Sequence, residues 1–149
     1  MCSSDLSGPC QSSWFQFEDY CYPEKGSRLS WSAVQKHCRS QGGNLVKINS
    51  VVENGFLLQL VRHEAPSVKQ VWIGLVWHSE TEDWAWIDNS HPVYTSWRPG
   101  EPNGFEHKPC GEMYVDNTSN FPIIGYWNDR ACGKTNGIVY KKLADHGLN

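Results

Sequence analysis

Apolar residues recur at helical spacing in two places and cluster in strand-length runs elsewhere. Trp31, Val34 and Cys38 fall on one face of a predicted helix, with Ser30 at the N-cap position and Gly42-Gly43 ending the segment. A second helix is expected from Ser50, where Glu53 three residues on completes a capping box. Phe56, Leu57, Leu60 and Val61 form its expected apolar face, and Pro66 closes it. Upstream, Trp14 to Phe17 and Tyr20 to Tyr22 read as a hairpin of short strands. The nearly unbroken apolar run from Val71 to Val76 predicts a buried strand. Further strands are expected over Cys110 to Val115, Ile123 to Trp127 and Gly137 to Lys141. Between them, Asp88 to Pro109 is rich in Pro, Gly, Asn and His, and a loop that long in a compact domain is either functional or disordered. The predicted fold class is α+β: two helices beside antiparallel strands, with one loop-rich half.

Composition narrows the function. A chain of 149 residues fits one domain with a single core. Its formal net charge is −3 and no basic run occurs, which argues against a nucleic-acid partner. No apolar run is long enough to insert in a membrane. No signal peptide is visible, and the opening Met1-Cys2-Ser3-Ser4 reads as a chain whose targeting sequence is already absent. Six cysteines without a Cys-x-x-Cys pair point to disulfides and an oxidising, secreted or extracellular setting rather than to zinc. Asn117-Thr118-Ser119 matches the N-glycosylation acceptor pattern. The eight tryptophans are expected mainly to fill core and brace loops.

Two tripeptides concentrate hard oxygen donors. Glu101-Pro102-Asn103 offers a carboxylate and an amide oxygen, and Trp127-Asn128-Asp129 offers two more. Such donors suit calcium better than a transition metal. Pro102 permits a cis peptide bond at modest cost. Around them stand Trp72-Ile73-Gly74-Leu75, Trp84-Ala85-Trp86-Ile87-Asp88 and Tyr94-Thr95-Ser96-Trp97. In this order, and with its cysteines, the chain resembles the C-type lectin-like domain from about Cys10 to Lys142. The expected division is an N-terminal extension over 1–9, the domain over 10–142 and a tail over 143–149.

The resemblance implies a calcium-dependent carbohydrate-binding domain with Ca2+ as cofactor. Glu101, Asn103, Asn128 and Asp129 match the family's ligand positions. In mannose-binding members a further acid precedes the next cysteine, but here that place holds Lys108-Pro109. Glu106 is the only acid between Asn103 and Cys110, so it is the expected substitute. The same five residues are the expected sugar contacts, because family members let two vicinal hydroxyls complete the calcium shell. Glu-Pro-Asn goes with mannose, GlcNAc and fucose, whereas Gln-Pro-Asp goes with galactose. A carboxylate only accepts hydrogen bonds while an amide nitrogen donates, so their order along the loop selects the diol. The auxiliary calcium site of some members is not expected, since Gly104 and Lys108-Pro109 replace its acids.

The family also implies bridges Cys10–Cys21 and Cys110–Cys132. Its remaining bridge would join Cys38 to a cysteine in the last strand, where Tyr140 stands instead. Cys2 and Cys38 are left with three outcomes: bonded to each other, bridging two chains through Cys2, or free. The polar N-terminal segment favours the interchain bridge, and with it a disulfide-linked homodimer whose avidity would offset a shallow, weak sugar site. Cys38 is then expected as a buried, inert thiol.

No nucleotide-binding or nucleophile motif is present. The histidines lack metal-ligand spacing, and Glu80, Glu82 and Asp83 read as a solvated loop rather than a catalytic pair. The chain is therefore not expected to be an enzyme. The alternatives to a lectin for glycoconjugates are a protein-binding or a mineral- or ice-surface-binding module on the same fold.

Overall fold

The computed structural model describes residues 1–8, 15–17, 20–22, 28–40, 42–116, 123–137 and 140–144. In chain order the elements are β1 (Cys2–Gly8), β2 (Phe15–Phe17), β3 (Tyr20–Tyr22), β4 (Arg28–Leu29), α1 (Trp31–Ser40), β5 (Asn44–Leu45) and α2 (Val51–Glu64). Then follow β6 (Gln70–His78), β7 (Asp83–Trp86), β8 (Cys110–Tyr114), β9 (Trp127–Arg130), β10 (Asn136–Gly137) and β11 (Tyr140–Ala144). A four-stranded sheet has the order β7-β6-β8-β9, a five-stranded sheet β2-β3-β11-β1-β5, and β10 pairs with β4.

The central strand β6 explains its own composition. Val71, Ile73 and Leu75 pack in a cluster with Leu57 and Val61 of α2 and with Trp84, Trp86, Met113 and Trp127. Trp72, between them in sequence, packs instead with Val34 and Cys38 of α1. Alternate side chains leave a strand on opposite faces, so a strand covered on both faces reads as continuous apolar sequence. Gly74 is fixed by close approach: a Cβ there would lie 2.8 Å from the Leu45 carbonyl oxygen and 3.0 Å from that of Val46. Trp72 and Trp31 donate their indole N–H groups to the Leu29 and Ile73 carbonyls, both at 3.0 Å, which ties α1 and β4 to β6.

Helix α2 begins as its sequence dictates. The Ser50 hydroxyl accepts the Glu53 amide at 3.1 Å, satisfying one of the open donors of the first turn. Leu57 and Val61 are buried, but Phe56 is 42% exposed and does not belong to the inner face. The inward position three residues before Leu57 is taken by a polar residue, Asn54, which is only 6% exposed.

Two expected elements are displaced. The expected strand over 123–127 is a turn at Ile124 and Gly125, with Gly125 at φ +84°, and strand structure begins only at Trp127 and runs over Trp127–Arg130. The segment read as an N-terminal extension contributes β1, which pairs in parallel with β11 and antiparallel with β5. The hairpin β2–β3 forms in register Phe15↔Tyr22.

Strand β1 also corrects the cysteine expectation. Pairing of Cys2 with Leu45 lays β1 beside α1, and Cys2 bonds Cys38 with Cα atoms 5.3 Å apart. Both residues are fully buried. Cys2 thus has no sulfur to offer a partner chain, and Cys38 is not a free thiol; the interchain bridge is replaced by an intrachain one. Cys110 and Cys132 are bonded, again with Cα atoms 5.3 Å apart. The Cys10–Cys21 bridge, the Asn117 acceptor and residues 145–149 of the tail lie outside the described residues.

Candidate functional site

The segment from Ser96 to Gly104 has no regular structure of its own, yet backbone hydrogen bonds hold it against β9. Trp127 N–H donates to the Ser96 carbonyl at 2.7 Å, and Arg98 N–H donates to the Trp127 carbonyl at 2.9 Å. Glu101 N–H then closes onto the Arg98 carbonyl at 2.8 Å across Gly100, whose φ is +92°. That left-handed value costs glycine little. The Glu101–Pro102 peptide bond is cis.

Aromatic rings brace the same loop. Trp97 packs edge-on against Trp127 at 5.9 Å between centroids and lies 4.9 Å from Trp84. Trp84 contacts Trp77 at 5.9 Å, and Trp77 contacts Phe105 at 4.9 Å. Offset and edge-on geometries of this kind are favourable for aromatic pairs. Underneath, Asn54 receives the Trp127 indole N–H at 2.9 Å and donates to the Gly125 carbonyl at 2.9 Å. One buried amide from α2 therefore fixes both the ring and the turn that leads into β9.

The oxygen donors meet at the junction of loop and strand. Asp129 is 1% exposed, and its Oδ2 accepts the Asn103 and Gly104 amides at 3.0 and 2.6 Å. Asn103 Nδ2 donates to Glu101 Oε1 at 3.3 Å. The second oxygens, Glu101 Oε2 and Asp129 Oδ1, are buried, and with both carboxylates ionised they have no hydrogen-bond partner. Burial and the neighbouring Asp129 carboxylate, through a shared hydrogen bond and its charge, push Glu101 up to about 7. Burial also acts to raise Asp129, but hydrogen bonds from Glu101 and from the Gly104 and Asn103 amides hold it below the usual carboxylate value. Two crowded carboxylates of this kind share a proton because both charges are costly together.

Not all five expected ligands converge. Glu101, Asn103 and Asp129 do. Asn128 follows the strand alternation to the other face of β9, where its amide nitrogen donates to Glu112 Oε2 at 2.8 Å. Glu106 sits on a 3-10 turn over Phe105–His107, exposed, and lines an open cleft of about 540 Å³ with Trp77, Glu82, Asn103, Gly104, Phe105 and His107. The donor chemistry still suits a hard cation, since two unpartnered buried carboxylate oxygens stand beside an amide. It is a lean set: among the described residues no group of three or more His, Cys, Asp or Glu comes together.

Glu112 escaped the sequence reading. It lies on β8 opposite Asn128 and is 2% exposed. Besides Asn128, it accepts Arg130 Nη1 at 3.2 Å and Asn136 Nδ2 at 3.1 Å, and Arg130 also donates to Asn136 Oδ1 at 2.7 Å. Its position two residues after Cys110 in a strand was visible; that a glutamate would face inward was not. Among the other acids, Asp83 meets His91 at 3.0 Å on the surface, and Glu80 and Glu82 are exposed.

A family model described as the lectin C-type domain matches residues 27–142. The chain is 32% identical over 153 residues to C-type mannose receptor 2 of Mus musculus, covering 95% of this chain and 10% of that protein. It is 31% identical over 137 residues to ladderlectin of Oncorhynchus mykiss, covering 90% and 69%. The chain thus spans about a tenth of the mannose receptor's length. Among solved structures it resembles the carbohydrate-recognition domain of cow CD23 in the presence of a GlcNAc2Man3 oligosaccharide. That match has 30% identity and a TM-score of 0.65, covering 91% of this chain and 97% of that one. A calcium-independent C-type lectin, SPL-2 of Saxidomus purpuratus, matches with 25% identity and a TM-score of 0.67, covering 87% and 91%.

Proposed function

This chain belongs to the C-type lectin domain family, and we propose that it is a secreted, calcium-dependent sugar-binding module for mannose-type glycans rather than an enzyme. One observation carries this reading: a buried aspartate and a glutamate, Asp129 and Glu101, each leave one oxygen unpartnered beside the Asn103 amide when both are ionised, and only a shared proton or a bound cation relieves them. Oxygens left open in a protein interior are costly unless something binds them.

Glu101, Asn103 and Asp129 would hold the ion, with Glu106 at the margin of the loop as the further ligand, whereas Asn128 is committed to Glu112 on the other face of β9. Bound calcium supplies an electrophilic centre that accepts two sugar hydroxyls as ligands. The protein's own part is orientation. The Glu101 carboxylate accepts a hydrogen bond from one hydroxyl, and the Asn103 amide nitrogen donates to its neighbour, so a vicinal equatorial diol fits in one sense only. The backbone amides of Asn103 and Gly104 hold Asp129 in place, which fixes the loop against the strand. Mannose, GlcNAc and fucose are the sugars this order favours.

A glycan array run with millimolar calcium and again with EDTA tests the reading. Binding to mannose-type glycans that disappears in EDTA is the expected result. Binding that survives EDTA would instead favour the second reading, a calcium-free binding module on this fold, for which the lean acid set speaks.

A further inference from the structure

Lys108 stands where mannose-binding relatives were expected to carry an acid, and the structure places its side chain over the candidate site. The turn is closed by Lys108 N–H donating to the Phe105 carbonyl at 3.1 Å, which folds the residue back toward Gly104. Its stem then lies directly on Gly104: a Cβ there would meet the Lys108 Cδ and Cγ at 2.6 Å and its Cβ at 2.7 Å. Even the carbon nearest the backbone is involved, so a side chain at 104 would displace the whole stem rather than only its tip. At the far end Nζ donates to Asn103 Oδ1 at 3.4 Å, the amide oxygen that a calcium ion would need.

Charge points the same way. Glu101 and Asp129 bring two negative charges when ionised, and the lysine brings one positive charge. Its field acts on Glu101 to favour the ionised carboxylate, against the larger effects of burial and Asp129. The ammonium therefore both occupies a donor oxygen and partly neutralises the cluster that should attract a divalent cation.

We propose that Lys108 is a tethered counter-ion that competes with calcium for this site, so that calcium affinity is set by displacement of its ammonium from Asn103. The inference rests on the calcium reading above and adds the residue that tunes it. Gly104 is part of the device, because only a residue without a Cβ lets the lysine stem lie flat across it. A monovalent and a divalent cation about 6 Å apart in a water-like dielectric repel by roughly the equivalent of a tenfold change in a binding constant.

The test is calcium binding by calorimetry on the wild-type chain, Lys108→Met and Lys108→Arg, with melting curves in EDTA as a check on folding. Methionine keeps much of the stem and removes the charge; arginine keeps the charge. Lys108→Met is expected to bind calcium about tenfold more tightly, with Lys108→Arg close to wild type. Calcium binding by Lys108→Met alone would support the proposal still more strongly. If wild type and Lys108→Met bind calcium equally well, the lysine does not compete and the proposal fails while the calcium reading stands. If the folded Lys108→Met and wild-type chains both bind no calcium, the calcium reading fails and the competition with it.

Discussion

Two polar clusters lie on either side of β9, and their difference separates what holds the fold from what is open to a ligand. On one face, Glu112 is buried and meets Asn128, Arg130 and Asn136, which link β8, β9 and β10. On the other, Asp129 is equally buried and meets two backbone amides, but it and Glu101 each keep an oxygen without a partner. A buried charge costs several kcal/mol unless neighbours replace the lost water. The Glu112 cluster supplies those neighbours from within the chain, including a cation at 3.2 Å. The Glu101–Asp129 pair leaves part of the replacement undone. Closed clusters of this kind are structural, whereas open ones invite a ligand.

Removing the closed cluster should cost the most. Glu112→Ala leaves a half-buried arginine without its carboxylate and should destabilise the domain by about 3 kcal/mol. Thermal denaturation should register a fall of roughly 10 °C. A fall under about 2 °C would show the cluster to be dispensable.

Breaking the open cluster should do the reverse. Asp129→Asn removes a charge from a crowded pair, so the melting temperature in EDTA should hold or rise. Calcium affinity measured by titration should drop on the order of a hundredfold, because a calcium site depends on the number of charged ligands. A lower melting temperature in EDTA with unchanged calcium affinity would invert the comparison.

Exchanging acceptor and donor within the open cluster sharpens it further. Glu101→Gln with Asn103→Asp should abolish mannose binding on an array and shift what remains toward galactose, with gain smaller than loss. Full mannose binding by the double variant would remove the tripeptide from the recognition step.

The smallest effect is expected at the margin of the cluster. Glu106 is exposed and lines the neighbouring cleft, so Glu106→Ala should weaken calcium binding by about fivefold or less. No change in a calcium titration would confine Glu106 to the cleft wall.

Much of this is legible in the sequence. The Ser50 cap determines where α2 starts, because its hydroxyl and the Glu53 amide that it accepts are local to one turn; of the expected capping box this is the half that forms. The apolar run of β6 announces a strand covered on both faces. Ile123 and Ile124 favour a strand by type, but Gly125 at φ +84° makes a turn there that leads into β9. Phe56 has the right spacing for the inner face of α2 but yields the inward position to Asn54, whose amide is needed by Trp127 and Gly125, both more than 70 residues away in sequence.

The chain alone determined its residue inventory: which oxygens are available, where glycines permit close approach, and which segments repeat at helical or strand spacing. Those are properties of neighbours along the chain. The tertiary structure decided the pairings. It closed Cys2 onto Cys38 because β1 lies beside β5 and α1, turned Asn128 toward Glu112, and brought Asp129 to the Glu101 loop. Each of these joins groups at least 16 residues apart, and no local preference encodes such a distance. Burial and the need to satisfy polar groups within it select among the partners that packing brings into reach.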